Sequence, residues 1–350
     1  MAQINKPSLH FNTKLYTGNG STQSITGVGF QPDWVWTKRR DSSDWHVLTD
    51  SVRGANKSIF SNLTNTESTD TNVLTSFDSD GFSIGDNGMI NASSGTFASW
   101  NWKANGAGSA NSDGSQSSTV SVNTTAGFSI VKFTNTTSYS SNTFGHGLGV
   151  APQMIIMRSL DDAYNWDVYH YKVGETKRLV LNSTASEAST TYMNNTAPTN
   201  QVFTLASNHY SNGSNCIAYC FTSKKSFSKL GSYSGNGQPS GGTFVYCGFK
   251  PAFVMLKVSN ATSGSDFTGN WNIYDNKRGG ETYNPSTYRL LPNSTNADAS
   301  SSVQAIDFLS NGFKLYSGNT DQNSSAGAYI YMAFAEEPLV GSNNVPATAR

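Results

Sequence analysis

Gly29-Phe30-Gln31-Pro32-Asp33-Trp34-Val35-Trp36-Thr37-Lys38 decides the fold, because the chain writes this passage twice more. Gly149-Val150-Ala151-Pro152 leads into Met154-Ile155-Ile156-Met157 and Arg158, and Gly248-Phe249-Lys250-Pro251 leads into Phe253-Val254-Met255-Leu256 and Lys257. Each time a glycine stands three places before a proline, and an apolar run closes on a base six places after it. A tryptophan follows, with a β-branched residue two places on: Trp45-His46-Val47, Trp166-Asp167-Val168 and Trp271-Asn272-Ile273. The prolines are 120 and 99 positions apart, the tryptophans 121 and 105. Four features in one order at nearly one period mark an internal repeat, and three copies predict three modules. Runs that are apolar at successive rather than alternate positions predict strands covered on both faces.

Outward from that passage, each module continues in short strand-forming runs separated by Gly, Asn, Asp and Ser turns. Phe82-Ser83-Ile84, Phe203-Thr204-Leu205 and Phe313-Lys314-Leu315 alternate as half-buried strands do. A last strand follows each, with Trp100 and Trp102, then Tyr219 and Phe221, then Met332 and Phe334. Tyr16-Thr17-Gly18-Asn19-Gly20 opens module one and is nearly copied at Tyr233-Ser234-Gly235-Asn236-Gly237, whereas module two opens on Phe128–Phe133 without it. No stretch keeps a 3.6-residue period over three turns. These features predict an all-β chain of three tandem antiparallel β-sandwich modules, jelly-roll or lectin-like, forming a rigid extended body. The expected divisions are an arm at 1–10, modules at 11–106, 119–230 and 231–337, a Gly/Ser-rich linker at 107–118 and a tail at 338–350.

Composition narrows function. Charged residues make up 13% of the chain, against roughly 25% in an average soluble protein. Lys plus Arg equals Asp plus Glu at 23 each. Phosphate affinity comes from clustered cations, so nucleic acid is disfavoured as a partner. The one basic triplet, Lys38-Arg39-Arg40, reads as a charged strand end. Cys216, Cys220 and Cys247 are too few and too unevenly placed for a disulfide framework and read as small buried hydrophobes. The first 20 residues lack a signal-peptide core, and no run is long enough to span a membrane. Asn-x-Ser/Thr triplets at Asn62, Asn91, Asn182 and Asn293 are expected by chance in this composition.

Candidate chemistry is sparse. Asp50 and Arg53 in module one match Asp275 and Arg278 in module three, each arginine preceding a glycine, while module two carries His170 and Val173 there. A ligand-binding site repeated twice and lost once is one reading; a turn-stabilising ion pair is the other. Glycosidases need two carboxylates across a cleft, and no glutamate position recurs clearly in all modules, so no catalytic residue is assigned. Gly145-His146-Gly147-Leu148-Gly149 lacks the strand–helix context of a nucleotide loop. Asp78-Ser79-Asp80-Gly81 and Asp86-Asn87-Gly88 hint at calcium ligands, but ordinary Asx turns explain both. No cofactor and no metal are assigned. The recurring tryptophans Trp45, Trp166 and Trp271 read as core, leaving recognition to loops that differ between modules.

Ile4-Asn5-Lys6-Pro7, the run from Phe11 to Gly20, Gly27-Val28-Gly29-Phe30-Gln31-Pro32-Asp33 and the ending Ala333-Phe334-Ala335-Glu336-Glu337-Pro338 resemble virion proteins of tailed bacteriophages, notably marine ones, with a tail-fibre or lectin-like sandwich. Val345-Pro346 and Ala349-Arg350 extend the likeness. It covers most of the chain and departs most at the opening of module two. The resemblance implies a non-enzymatic virion structural protein, made in the host cytoplasm. It would be a tail-associated fibre or adhesin touching a host-surface glycan, with other virion proteins and a homo-oligomer (a trimer by analogy) as partners. A capsid decoration protein is the nearest alternative, and a depolymerising tailspike enzyme a third.

Overall fold

The computed structural model describes residues 3–138, 140–261, 269–279, 284–340 and 346. The described chain is all-β, every strand pairing is antiparallel, and the only α-helix among the described residues is the single turn Gly88–Asn91.

One strand order recurs three times. In module one the large sheet runs Phe11–Thr17, Thr96–Trp102, Trp34–Arg39, His46–Asp50, Lys57–Phe60, Ser68–Thr69. Module two repeats it as Phe128–Thr134, Asn215–Phe221, Met154–Ser159, Asp167–His170, Lys177–Val180, Ala188–Ser189. Module three gives Ser228–Ser234, Gly327–Pro338, Phe249–Ala261 and Asn272–Asp275, with the pair Tyr288–Arg289 and Ala299–Ser300 tied on by an Ile273–Leu290 bridge. The strand opened by each proline lies inside the sheet, between the closing strand and the strand after it. Its glycine explains the entry: Gly29, Gly149 and Gly248 have φ of +89°, +70° and +80°, a region that costs other residues a steric penalty.

Each large sheet faces a small one. Gln23–Thr26, Gly81–Ile84 and Leu74–Asp78 form the first; Ser141–Gly145 and Val202–Ala206 the second; Phe244–Tyr246, Gly312–Tyr316 and Ala305–Leu309 the third. A separate apolar cluster fills each gap, for example Ile25, Val35 and Phe82, then Phe144, Ile155 and Phe203, then Val245, Val254 and Phe313. Alternation along the strands supplies these side chains from one face of each large sheet.

The opposite faces of all three large sheets meet in one central cluster. Trp34, Trp36, Trp100 and Trp102 come from module one, Ile156, Tyr219 and Phe221 from module two, and Phe253, Met255, Met332 and Phe334 from module three. Trp34 stacks on Tyr219 at 4.3 Å between centroids, and Phe11 on Phe334 at 5.0 Å. The doubly apolar runs are therefore covered on one side by their own small sheet and on the other by the neighbouring modules. This replaces the expected extended body: the modules converge on a shared core instead of following one another in a line. Each side chain fully buried there contributes roughly 1.5–3 kcal/mol, so the convergence is strongly held.

Three boundaries also move. The stretch 107–118 is not a free linker, because Ser109–Asn111 adds a strand beside Ser118–Asn123 at the edge of the second large sheet. The 230/231 division falls inside the strand Ser228–Ser234, which opens module three. The arm is docked, with Ile4 buried in the central cluster and its N–H bonded to the Lys225 carbonyl at 3.4 Å. From the tail, residues 341–345 and 347–350 lie outside the described residues.

The tryptophan repeat needs a one-residue correction. Trp166 and Trp271 are buried, but Trp45 is 37% exposed and rests on Phe60. The matching position is His46, fully buried. Its N–H donates to Asn62 Oδ1, as those of Trp166 and Trp271 donate to Asn182 and Asn293, each at 2.9 Å. Asn62, Asn182 and Asn293, all in Asn-x-Ser/Thr triplets, are thus one repeat device that fastens a backbone donor. Asn91 is buried and clamps the Tyr-Thr-Gly-Asn-Gly opening by accepting the Asn19 N–H at 2.9 Å; Asn323 does the same for Asn236 at 3.1 Å.

Candidate functional site

Asp50 and Arg53 lie at the end of the strand His46–Asp50 and the turn after it. Asp50 accepts the N–H groups of Val52 and Arg53 and the Arg53 Nε, and Arg53 Nη2 donates to the Leu48 carbonyl at 2.9 Å. Asp275 and Arg278 reproduce this, with Nε to Oδ2 at 2.6 Å and Nη2 to the Ile273 carbonyl at 2.7 Å. Both pairs are buried. Each receives a donor from another module's closing strand: Tyr219 Oη gives a hydrogen bond to Asp50 at 2.7 Å, and Trp100 Nε1 to Asp275 at 3.0 Å. Burial alone would raise the Asp275 carboxyl, but the Arg278 guanidinium and the hydrogen bonds from Arg278 and Trp100 hold it below its ordinary value. The geometry gives these four residues the work of joining modules.

Other residues mark the same seams. Arg158 donates to the carbonyls of Leu63, Thr64 and Asn65 in module one. Lys257 reaches the Thr184 carbonyl of module two at 2.9 Å, and burial pushes its pKa down to about 7. Lys38 turns to carbonyls of its own hairpin, Arg39 and Ser42. Trp166 and Trp271 donate their indole N–H across the seams to Phe60 and Val180. Backbone N–H groups of Glu67, Glu187 and Asp298 bond Leu160, Ser259 and Arg40 of the next module at 2.7, 2.8 and 2.7 Å. Module two meets one, module three meets two, and module one meets three, so a head-to-tail contact closes into a ring.

Recognition surfaces must lie outside the seams, and the outward faces of the small sheets are equivalent enough to compare. On module one that face carries Ser24, Ser76, Ser83 and Asp78, hydrogen-bonded among themselves. On module two it carries Ser141 and Thr143, with Thr204 beside them buried. On module three the alternation along Phe244–Tyr246 buries Val245 and turns both aromatics out, Phe244 at 46% and Tyr246 at 59% exposure. Residues two apart on a strand face the same way, roughly 7 Å from each other. Phe244 sits opposite Lys314, which sits opposite Asp307. Lys314 Nζ lies 5.3 Å from the centre of the Tyr316 ring, whose hydroxyl donates to Asp307 at 2.7 Å. That bond raises the Tyr316 pKa and fixes the ring.

Tyr246 also stands at the rim of a cleft of about 510 Å³ between Gly248, the Lys224–Lys229 connection and the chain-end residues Gln3 and Val340. An exposed aromatic row with polar flanks beside a cleft can stack on the apolar face of a sugar and hydrogen-bond its hydroxyls.

Several carboxylates elsewhere are engaged by neighbours. Asp167 accepts bonds from Arg178, His209 and Tyr210. Asp80 accepts the Gly27 and Gly29 N–H groups, and Asn87 caps the helical turn. Among the described residues no three His, Cys, Asp or Glu side chains are placed to hold a metal ion. All three cysteines are buried free thiols, Cys247 pushed up to about 12 by burial.

A ring of three β modules with one aromatic outer face is the class that fold and site define. Residues 6–338 match the family described as domain of unknown function DUF7483, and the chain belongs to that family. The match spans all three modules, so the family's unit is the whole ring. No curated protein matches the chain, and no solved structure matches it.

Sequence reasoning missed Phe244 and Tyr246. The available signal was the pattern Phe244-Val245-Tyr246, two aromatics around an apolar residue, where Gln23-Ser24-Ile25-Thr26 and Ser141-Asn142-Thr143 are polar.

Proposed function

We propose that this chain is a bacteriophage virion structural protein, tail-associated and of fibre or adhesin type, that contacts host-surface glycans without chemical catalysis. One observation carries the recognition part: of three equivalent outer faces, only the third presents aromatics. The ring supports it as a rigid platform, because a shared core leaves modules little freedom to shift. Few charges on the surface leave little for salt to screen, which suits a particle outside the cell. The resemblance at both ends of the chain supplies the virion assignment, the expected assembly into homo-oligomers and docking on other virion proteins. A capsid decoration protein is the second reading, favoured by the compact closed ring.

Immunogold electron microscopy of the particle, paired with a host-glycan array, tests this. Label at the tail and array binding lost in Phe244→Ala/Tyr246→Ala is the expected result. Label confined to the head, with a blank array, would overturn it.

A further inference from the structure

We infer that the ligand is an acidic glycan whose sugar carboxylate enters the cleft beside Tyr246 and meets Lys224, Lys225 and Lys229. This rests on the reading just given and adds the substrate class. In a chain of zero net charge, three lysines line one cleft, and among the described residues lining it there is no acid. Among the described residues none of the three makes an ion pair, while other bases are engaged, such as Arg39 with Asp41 and Arg40 with Asp298. Lys225 and Lys229 are exposed, whereas Lys224 is half-buried. Burial lowers the Lys224 pKa, so an anion beside it would offset the cost of holding its ammonium away from water. Tyr246 offers a ring face at the rim, and the Ser226 and Ser228 residues of the lining add small polar groups. Nucleic acid fits less well, because it needs a cationic track and the one basic triplet is spent: Lys38 is buried, and Arg39 and Arg40 are paired.

The test uses the full chain against immobilised polygalacturonate, neutral dextran and a 15-nucleotide oligo-dT. Polygalacturonate should bind best and weaken with added salt. Lys225→Gln/Lys229→Gln should weaken it about tenfold, Tyr246→Ala should weaken it as well, and Lys132→Gln on module two should leave it unchanged. Thermal melts confirm that the variants fold. Equal binding to dextran and polygalacturonate, insensitive to Lys225→Gln/Lys229→Gln, would overturn the acidic assignment while leaving a glycan-binding face intact. Oligo-dT binding that is tighter and lost in the lysine variant would overturn it in favour of nucleic acid. A blank host-glycan array removes the underlying reading instead.

Discussion

Two seams of the ring are locked by a buried Asp–Arg pair and the third is not. At the first and third modules, the carboxylates of Asp50 and Asp275 have a spare lone pair, filled by Tyr219 and by Trp100. In register, the closing-strand residue of module three at that place is Met332, opposite Met255 as Trp100 is opposite Trp36 and Tyr219 opposite Ile156. Methionine has no donor, and module two holds His170 and Val173 where the other modules hold Asp and Arg. The difference is therefore a matched exchange on both sides of a seam, not the decay of one site. A buried ion pair persists only where its remaining hydrogen-bonding capacity is met, because an unmet group costs the full desolvation penalty.

The largest test of that contrast removes one partner. Asp50→Ala or Asp275→Ala strands a buried guanidinium and should cost about 3–5 kcal/mol in urea denaturation, whereas His170→Ala should cost about 1–2 kcal/mol. Equal losses at all three seams would erase the distinction. A graft sharpens it further. His170→Asp with Val173→Arg should destabilise the protein by about 2 kcal/mol, and adding Met332→Tyr should recover about half of that; no coupling in the cycle would mean the seams are not interchangeable. A separate test of the third seam is its acidity. Burial lowers the pKa of His170 to about 3, so the folded state keeps it neutral where the unfolded chain protonates near 6.5. Stability from this group is complete above pH 6.5 and lost progressively as pH falls from there toward about 3. His170→Leu should therefore flatten the pH dependence by up to about 1.4 kcal/mol per pH unit below 6.5. An unchanged slope would place the titration elsewhere, His46 and His146 being other buried rings whose pKa is lowered by burial.

Much of this was legible. Gly29, Gly149 and Gly248, the prolines after them and the bases Lys38, Arg158 and Lys257 located all three inner strands, because glycine conformation and apolar runs are local properties. Trp45 misled for an equally local reason: a tryptophan two places before a β-branched residue matches the pattern, yet a one-residue slip turns a strand position to the other face. The asparagines at 62, 182 and 293 would have exposed the slip, standing 16, 16 and 22 positions after His46, Trp166 and Trp271. Closure of the ring was not legible. Many of the seam acceptors are main-chain carbonyls, such as those of Phe60, Val180 and Leu63, and a carbonyl leaves no mark on residue identity. The aromatic row was overlooked because exposed and buried aromatics read alike until a strand's facing is known.

A closed ring has no first module. Gln3 Nε2 reaches the Val340 carbonyl at 2.5 Å, so the described ends of the chain meet. Joining them by a short bridge and opening the backbone instead in the exposed stretch before Ser118 would leave every seam as it is. Chain order, on this view, is a convenience of synthesis, and the molecule would tolerate circular permutation far better than the deletion of any one third.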